Sequence, residues 1–106
     1  MASCRSSGVL TADAVITADR CKLVSIHATY TGTTGATTVK VFDHASAASG
    51  TELSRIILKA PHGGDPTLPT IACIEFDMHG VLALNGLFLQ ISTGSGTGAA
   101  VSVEYN

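Results

Sequence analysis

The residues of this chain that could do chemistry are histidines standing near carboxylates. Its four histidines are His27, His44, His62 and His79. Three of them lie close to an aspartate, in the segments "FDH", "DMH" and "PHGGD". Imidazole and carboxylate are the ligands that a cupin-like barrel would use to hold a metal ion. However, the chain has no His-x-His pair, and an isolated Asp-x-His is common by chance. The sequence therefore favours solvent-facing histidines, and we predict no metal site and no cofactor.

Nucleophilic catalysis has less support than metal binding. The three cysteines are Cys4, Cys21 and Cys73, and no two of them form a CxxC pair. No GxSxG elbow is present. The Gly-rich segments "TGSGTG" and "HGGD" do not join a strand to a helix, which a phosphate cradle requires. We therefore predict that the protein is not an enzyme, and a cupin-like metal enzyme stays as a remote alternative.

The elements that must position these side chains are strands, because apolar residues recur with a period of two. Turn signals such as "TGTTG", "NG" and "TGSGTG" separate the alternating segments. This pattern predicts an all-β fold: an antiparallel β-sandwich, jelly-roll-like, with seven or eight strands. We expect an extended N-terminal arm over residues 1–12 and a single domain over 13–106. The apolar positions of three segments are Val24, Ile26, Ala28 and Tyr30; Ala72, Ile74, Phe76 and Met78; and Leu87, Leu89 and Ile91.

Some large apolar residues fall opposite the alternating apolar sets. These residues are Phe42, Ile57 and Phe88, and the pattern predicts that they are exposed. Exposed apolar residues on a strand face more often mark a packed second face or a subunit contact than a sugar platform. We add three turn-rich loops, 31–35, 61–69 and 93–98, as candidate contact regions. The candidate subunit contacts are Phe42, Ile57, Phe88, Thr33, His62, Asp65 and Ser95.

The charge content of the chain is low and points towards association. Charged residues make up 13 % of its 106 residues, against about 25 % in ordinary soluble domains. A small domain with a formal net charge of −2 carries little charge to oppose association. The Lys and Arg residues form no basic stripe, so we predict no nucleic-acid binding. No long apolar run and no signal peptide are visible, so we predict no membrane association.

The order of motifs resembles small structural proteins of tailed bacteriophages. The resemblance spans most of the chain. It is carried by "SGVLTADAVIT", a strand ending at Asp43, the "GTEL" strand entry at 50–53, the "NGL" hairpin at 85–87 and a closing "VSVEY". These motifs are mostly turn and strand signals, and the family offers no catalytic residues to carry over. The resemblance implies a β-sandwich or jelly-roll virion component.

From the resemblance and the composition together we expect a capsid decoration, or cement, protein. It would stabilise the head by bridging subunits of the major capsid protein, and its location would be the virion after synthesis in the host cytoplasm. We expect a homo-oligomer and favour a trimer, because closed symmetry must match the lattice. The alternative is a neck, tail or fibre component, which includes a receptor- or glycan-binding module.

Overall fold

A computed structural model describes residues 4–32, 35–59, 73–92 and 97–106. The predictions for Thr33, His62, Asp65 and Ser95 lie outside the described residues. The described residues form eight strands and no helix. The strands are β1 (Arg5–Ser6), β2 (Ala14–Thr17), β3 (Cys21–Tyr30), β4 (Ala36–Asp43), β5 (Thr51–Lys59), β6 (Cys73–Ala83), β7 (Leu87–Ser92) and β8 (Ala99–Tyr105).

The strands form two four-stranded antiparallel sheets with a nested pairing order. Sheet I has the order β1-β8-β3-β6, and sheet II has the order β2-β7-β4-β5. β4 pairs with β5, β3 with β6, β2 with β7 and β1 with β8, so the chain is a long hairpin rolled up into two sheets. This is the topology of a jelly roll. The predicted all-β, jelly-roll-like sandwich is confirmed.

The core lies between the two sheets and is built by alternation along the strands. On each strand every second side chain points inward, so alternating apolar residues from both sheets meet in one layer. Strand β7 follows this rule as predicted, and Leu87, Leu89 and Ile91 are all buried. The largest fully buried side chains are Leu23, Ile26, Leu87, Leu89, Val39, Val41, Val101, Val103 and Thr37.

A bulge in β3 changes which of its residues face the core. Ile26, Ala28 and Tyr30 are buried as expected, but Val24 is only half-buried. The register of β3 against both neighbours shifts between Leu23 and Ser25. The extra residue of a bulge reverses the alternation, so Leu23 takes the core position that the pattern predicts for Val24. That prediction for Val24 was wrong.

The described part of the N-terminal segment belongs to sheet I. Arg5 and Ser6 pair with β8, and Leu10 forms a bridge with Val101. The Ser7 hydroxyl also accepts a hydrogen bond from the Val103 amide at 2.9 Å. The described part of the segment predicted to be an extended arm thus supplies the edge strand beside β8.

Two side chains tie distant parts of the sandwich together. Thr37 is fully buried, and its Oγ1 accepts the amide of Gly98 at 2.7 Å, which joins sheet II to the residues that lead into β8. The carboxylate of Asp43, at the end of β4, accepts the amides of Leu84 and Asn85 at 3.1 and 2.8 Å. The predicted "NG" turn is therefore held by the aspartate that ends β4.

Candidate interaction surfaces

The structure brings Phe42, Ile57 and Phe88 to the outer face of sheet II. Phe42 lies directly opposite Phe88 on β7, and Ile57 lies opposite Thr38 on β4. Directly paired residues point to the same side of a sheet, and the core residues of these strands point to the other side. The three predicted contact residues, which are distant in sequence, therefore share one surface.

Their exposure differs from one residue to the next. Ile57 is 57 % exposed, as predicted, and Phe88 is half-buried. The prediction that Phe42 is exposed was wrong, because only 9 % of it is accessible. Phe42 lies at a register shift between β4 and β5 and beside Phe88, and it is not part of the core between the sheets. It is thus buried on the outer side of sheet II, opposite Phe88.

The middle of the same face is polar and positively charged. Lys40 lies between Arg55 on β5 and Gln90 on β7. These three side chains, with Ile57 and Ser92, help to line an open groove of about 400 Å³. The groove is open to solvent, and Lys40, Arg55 and Gln90 provide hydrogen-bond donors along it.

Arg55, one of the residues that line this groove, forms an ion pair with Glu52. Arg55 donates two hydrogen bonds to the carboxylate of Glu52, at 2.6 and 2.9 Å. The hydrogen bond from Arg55 lowers the pKa of Glu52, and the same contact raises the pKa of the guanidinium. A bidentate pair of this kind orients the guanidinium even at an exposed site.

The outer face of sheet I carries a histidine between two carboxylates. His27 Nδ1 lies 3.5 Å from Glu75 Oε2 on β6, and His27 Nε2 lies 3.4 Å from Glu104 Oε1 on β8. The two carboxylates approach opposite ring nitrogens, so they flank the imidazole and do not converge on one point. Among the described residues no three His, Cys, Asp or Glu side chains could hold a metal ion.

Strand β6 is an edge strand of sheet I, and two of its inward-pointing apolar residues are exposed to solvent. Ile74 and Phe76 pair with Ala28 and Ile26 and so point towards the inner side of the sheet. They are nevertheless 36 % and 42 % exposed. The alternation of this segment correctly marks one apolar face. It does not reveal that the strand carrying it stands at an open edge.

The remaining described histidines have local roles in the backbone. His44 Nδ1 accepts the amides of Ser46 and Ala47, at 3.1 and 3.0 Å, and so shapes the turn after β4. His79 has a φ of 54°, a left-handed conformation unusual for a residue other than glycine. Its amide donates to Asp77 Oδ1 at 2.9 Å, which supports that conformation. The Asp-x-His motif therefore lies at the irregularity of β6 opposite the Leu23–Ser25 shift.

The three cysteines differ in their exposure to solvent. Cys4 and Cys73 are exposed, and Cys21 is buried at the start of β3. Burial raises the pKa of the Cys21 thiol, and the negative charges of Asp43 and Asp19 raise it further. A thiol held in its neutral form in this way is a poor nucleophile.

Comparison with known proteins adds no relative. The chain matches no protein-family model, no curated protein and no solved structure. Over the part of the chain that the structure describes, no helix is long and apolar enough to span a bilayer.

Sequence reasoning missed the cluster of Glu75, His27 and Glu104. The signal was available in part, because each of these residues alternates with apolar neighbours and so belongs on an outer face. These three side chains come together only because β6, β3 and β8 lie side by side in a particular register. The alternation of a single strand predicts neither the order nor the register.

Proposed function

We propose that this chain is a structural protein of a bacteriophage virion, and in particular a capsid decoration protein that clamps neighbouring capsid subunits. The observation that carries the proposal is the amount of apolar surface left open on a chain with few charges. Seven large apolar side chains are between 36 % and 73 % exposed among the described residues. They are Val9, Val15, Ile57, Ile74, Phe76, Leu82 and Leu84. Neighbouring exposed apolar residues, such as Ile74 and Phe76 on one side of β6, are typical of a surface that contacts another protein.

The size of the domain is compatible with several simultaneous contacts. A standard interface buries about 800 Å² on each partner. The chain has 5872 Å² of accessible surface, so two such contacts would cover roughly a quarter of it. Many repeated contacts of modest strength add up to a stable shell through avidity. The resemblance of the sequence to tailed-phage structural proteins supports the same function.

The proposal is tested by measuring whether the protein is bound to virus particles. Particles from a culture that produces this chain are banded on a density gradient, and each fraction is probed with an antibody raised against the purified protein. We expect the protein to band with the particles in many copies. Particles stripped of it should open at lower temperature, and added protein should restore their resistance. Protein that stays at the top of a gradient in which particles have banded would contradict the proposal.

A second candidate function, binding of a glycan receptor by a tail or fibre module, is favoured by the polar groove on sheet II. Its lining of Lys40, Gln90, Arg55 and Ser92 offers hydrogen-bond donors and acceptors of the type that sugars use. A glycan array probed with the wild type and with Gln90→Ala tests it. Binding of one glycan class that the substitution abolishes would support this function, and an array without signal would exclude it.

A further inference from the structure

We propose that copies of this chain associate head to tail, with the outer face of sheet I of one copy against the outer face of sheet II of the next. This inference rests on the homo-oligomer expected from the proposed function, and it names the two surfaces that meet. Head-to-tail contacts of this kind join two different patches, and they generate a closed ring when the rotation between copies permits it.

The outer face of sheet I is acidic where β6, β3 and β8 lie side by side. Glu75 and Glu104 flank His27, and their side chains are 70 % and 42 % exposed. Asp77 follows two residues after Glu75 and is also exposed. Lys22 lies on β3 beyond the bulge, opposite Leu82, at the other end of this face. The three carboxylates thus form one acidic patch on the outer face of sheet I.

The outer face of sheet II has the opposite charge. Arg55, Ile57 and Lys59 alternate along β5 and are all exposed, while the residues between them are buried. Lys40 extends this basic set onto β4, opposite Arg55. Glu52 neutralises part of the charge through its contact with Arg55, and Asp13 stands at the rim of the groove, where it accepts the Ile91 amide. The face keeps an excess of positive charge around the apolar side chain of Ile57.

The opposite charges of the two outer faces indicate that each face binds a second copy of the chain. They also indicate that the copies associate head to tail. A two-fold contact of either face with itself would bring like charges together, which is unfavourable. Contact between the two faces sets the carboxylates of one copy against the cations of the next. The exposed side chain of Ile57, which lies within the basic set, would be covered in the same contact.

The experiment reverses the charge of each face separately and then of both. The acidic face is changed by Glu75→Lys with Glu104→Lys, and the basic face by Lys40→Glu with Lys59→Glu. The mass of each variant is measured by sedimentation velocity and light scattering over a range of concentrations. Each one-face variant should dissociate at a concentration at least about tenfold above that of the wild type, which corresponds to about 1.4 kcal/mol. The variant with both faces reversed should again associate, to within about threefold of the wild type.

Matched controls separate this interface from a loss of folding and from net charge. Asp19→Lys and Arg20→Glu change charge in the exposed turn between β2 and β3, and neither should alter the mass. Thermal unfolding of every variant checks that the fold is kept. A monomeric wild type, one-face variants with wild-type mass, or a failure of the double reversal to restore a folded oligomer would each overturn the inference. Since no particle enters this experiment, its failure is distinct from failure of the protein to band with virions.

Discussion

Replacement of Thr37 by valine tests how much one buried hydrogen bond, from the Gly98 amide to the Thr37 hydroxyl, stabilises the fold. The hydroxyl of Thr37 is fully buried and accepts the Gly98 amide at 2.7 Å. Valine has nearly the same shape but offers no acceptor, so the amide of Gly98, itself a buried residue, would lose its partner. An unsatisfied buried donor costs about 1–3 kcal/mol.

The net effect is smaller than this cost, because the substitution also adds apolar surface to the core. A buried methyl group contributes about 0.8 kcal/mol, so we expect Thr37→Val to lower the free energy of unfolding by about 0.2–2 kcal/mol. For a domain of this size the thermal midpoint should fall by about 4–8 °C for each kcal/mol. Urea unfolding measures the free energy directly, and an unchanged m value would show that the comparison is between similar states.

Two further variants identify the cause of any loss. Thr38→Val makes the same chemical change one residue along, on the outer side of β4, and should alter stability by no more than about 0.5 kcal/mol. Thr37→Ser keeps the acceptor and removes only a methyl group, which costs about 0.5–1.5 kcal/mol. Hydrogen exchange of the Gly98 amide separates the two Thr37 variants, since only valine should accelerate it. If Thr37→Val matches Thr38→Val in stability and leaves the Gly98 amide protected, the reasoning about this bond is refuted.

Three other predictions concern the turns and the buried thiol. Asp43→Ala removes the acceptor of two amides in the 84–85 turn. It should cost about 1–3 kcal/mol in urea unfolding, and a variant as stable as the wild type would show that water replaces the carboxylate. Gly86→Ala should prevent folding or lower the thermal midpoint strongly. Gly86 has a φ of 133° and a new Cβ would lie 2.4 Å from the Thr17 carbonyl oxygen; an unchanged midpoint would contradict that packing. The raised pKa of Cys21 predicts slow alkylation at neutral pH until the protein unfolds. Because the folded state holds this proton more tightly than the unfolded state, the contribution of Cys21 to stability should fall as the pH rises beyond about 8.5. Alkylation followed by peptide mass spectrometry, with unfolding measured from pH 7 to 10 in the wild type and Cys21→Ala, checks both statements.

The class of fold and part of the core could be predicted from the alternation along single strands. Alternation in β7 depends only on the two-residue period of a strand, and it correctly identified Leu87, Leu89 and Ile91 as buried. The "NG" turn and the exposure of Ile57 follow from equally local rules. These features need no knowledge of which strands become neighbours.

The outer faces of the two sheets could not be predicted from the sequence. They depend on pairing between strands that are distant in the chain. The bulge between Leu23 and Ser25 reversed the alternation of β3, and the edge position of β6 left Phe76 open although it points inward. Phe42 is covered where it lies opposite Phe88 of β7, at the point where the register of β4 against β5 shifts. A single strand carries no signal for its neighbours or its register, so the cluster around His27 and the opposed charges of the two outer faces arise only when the rolled hairpin closes.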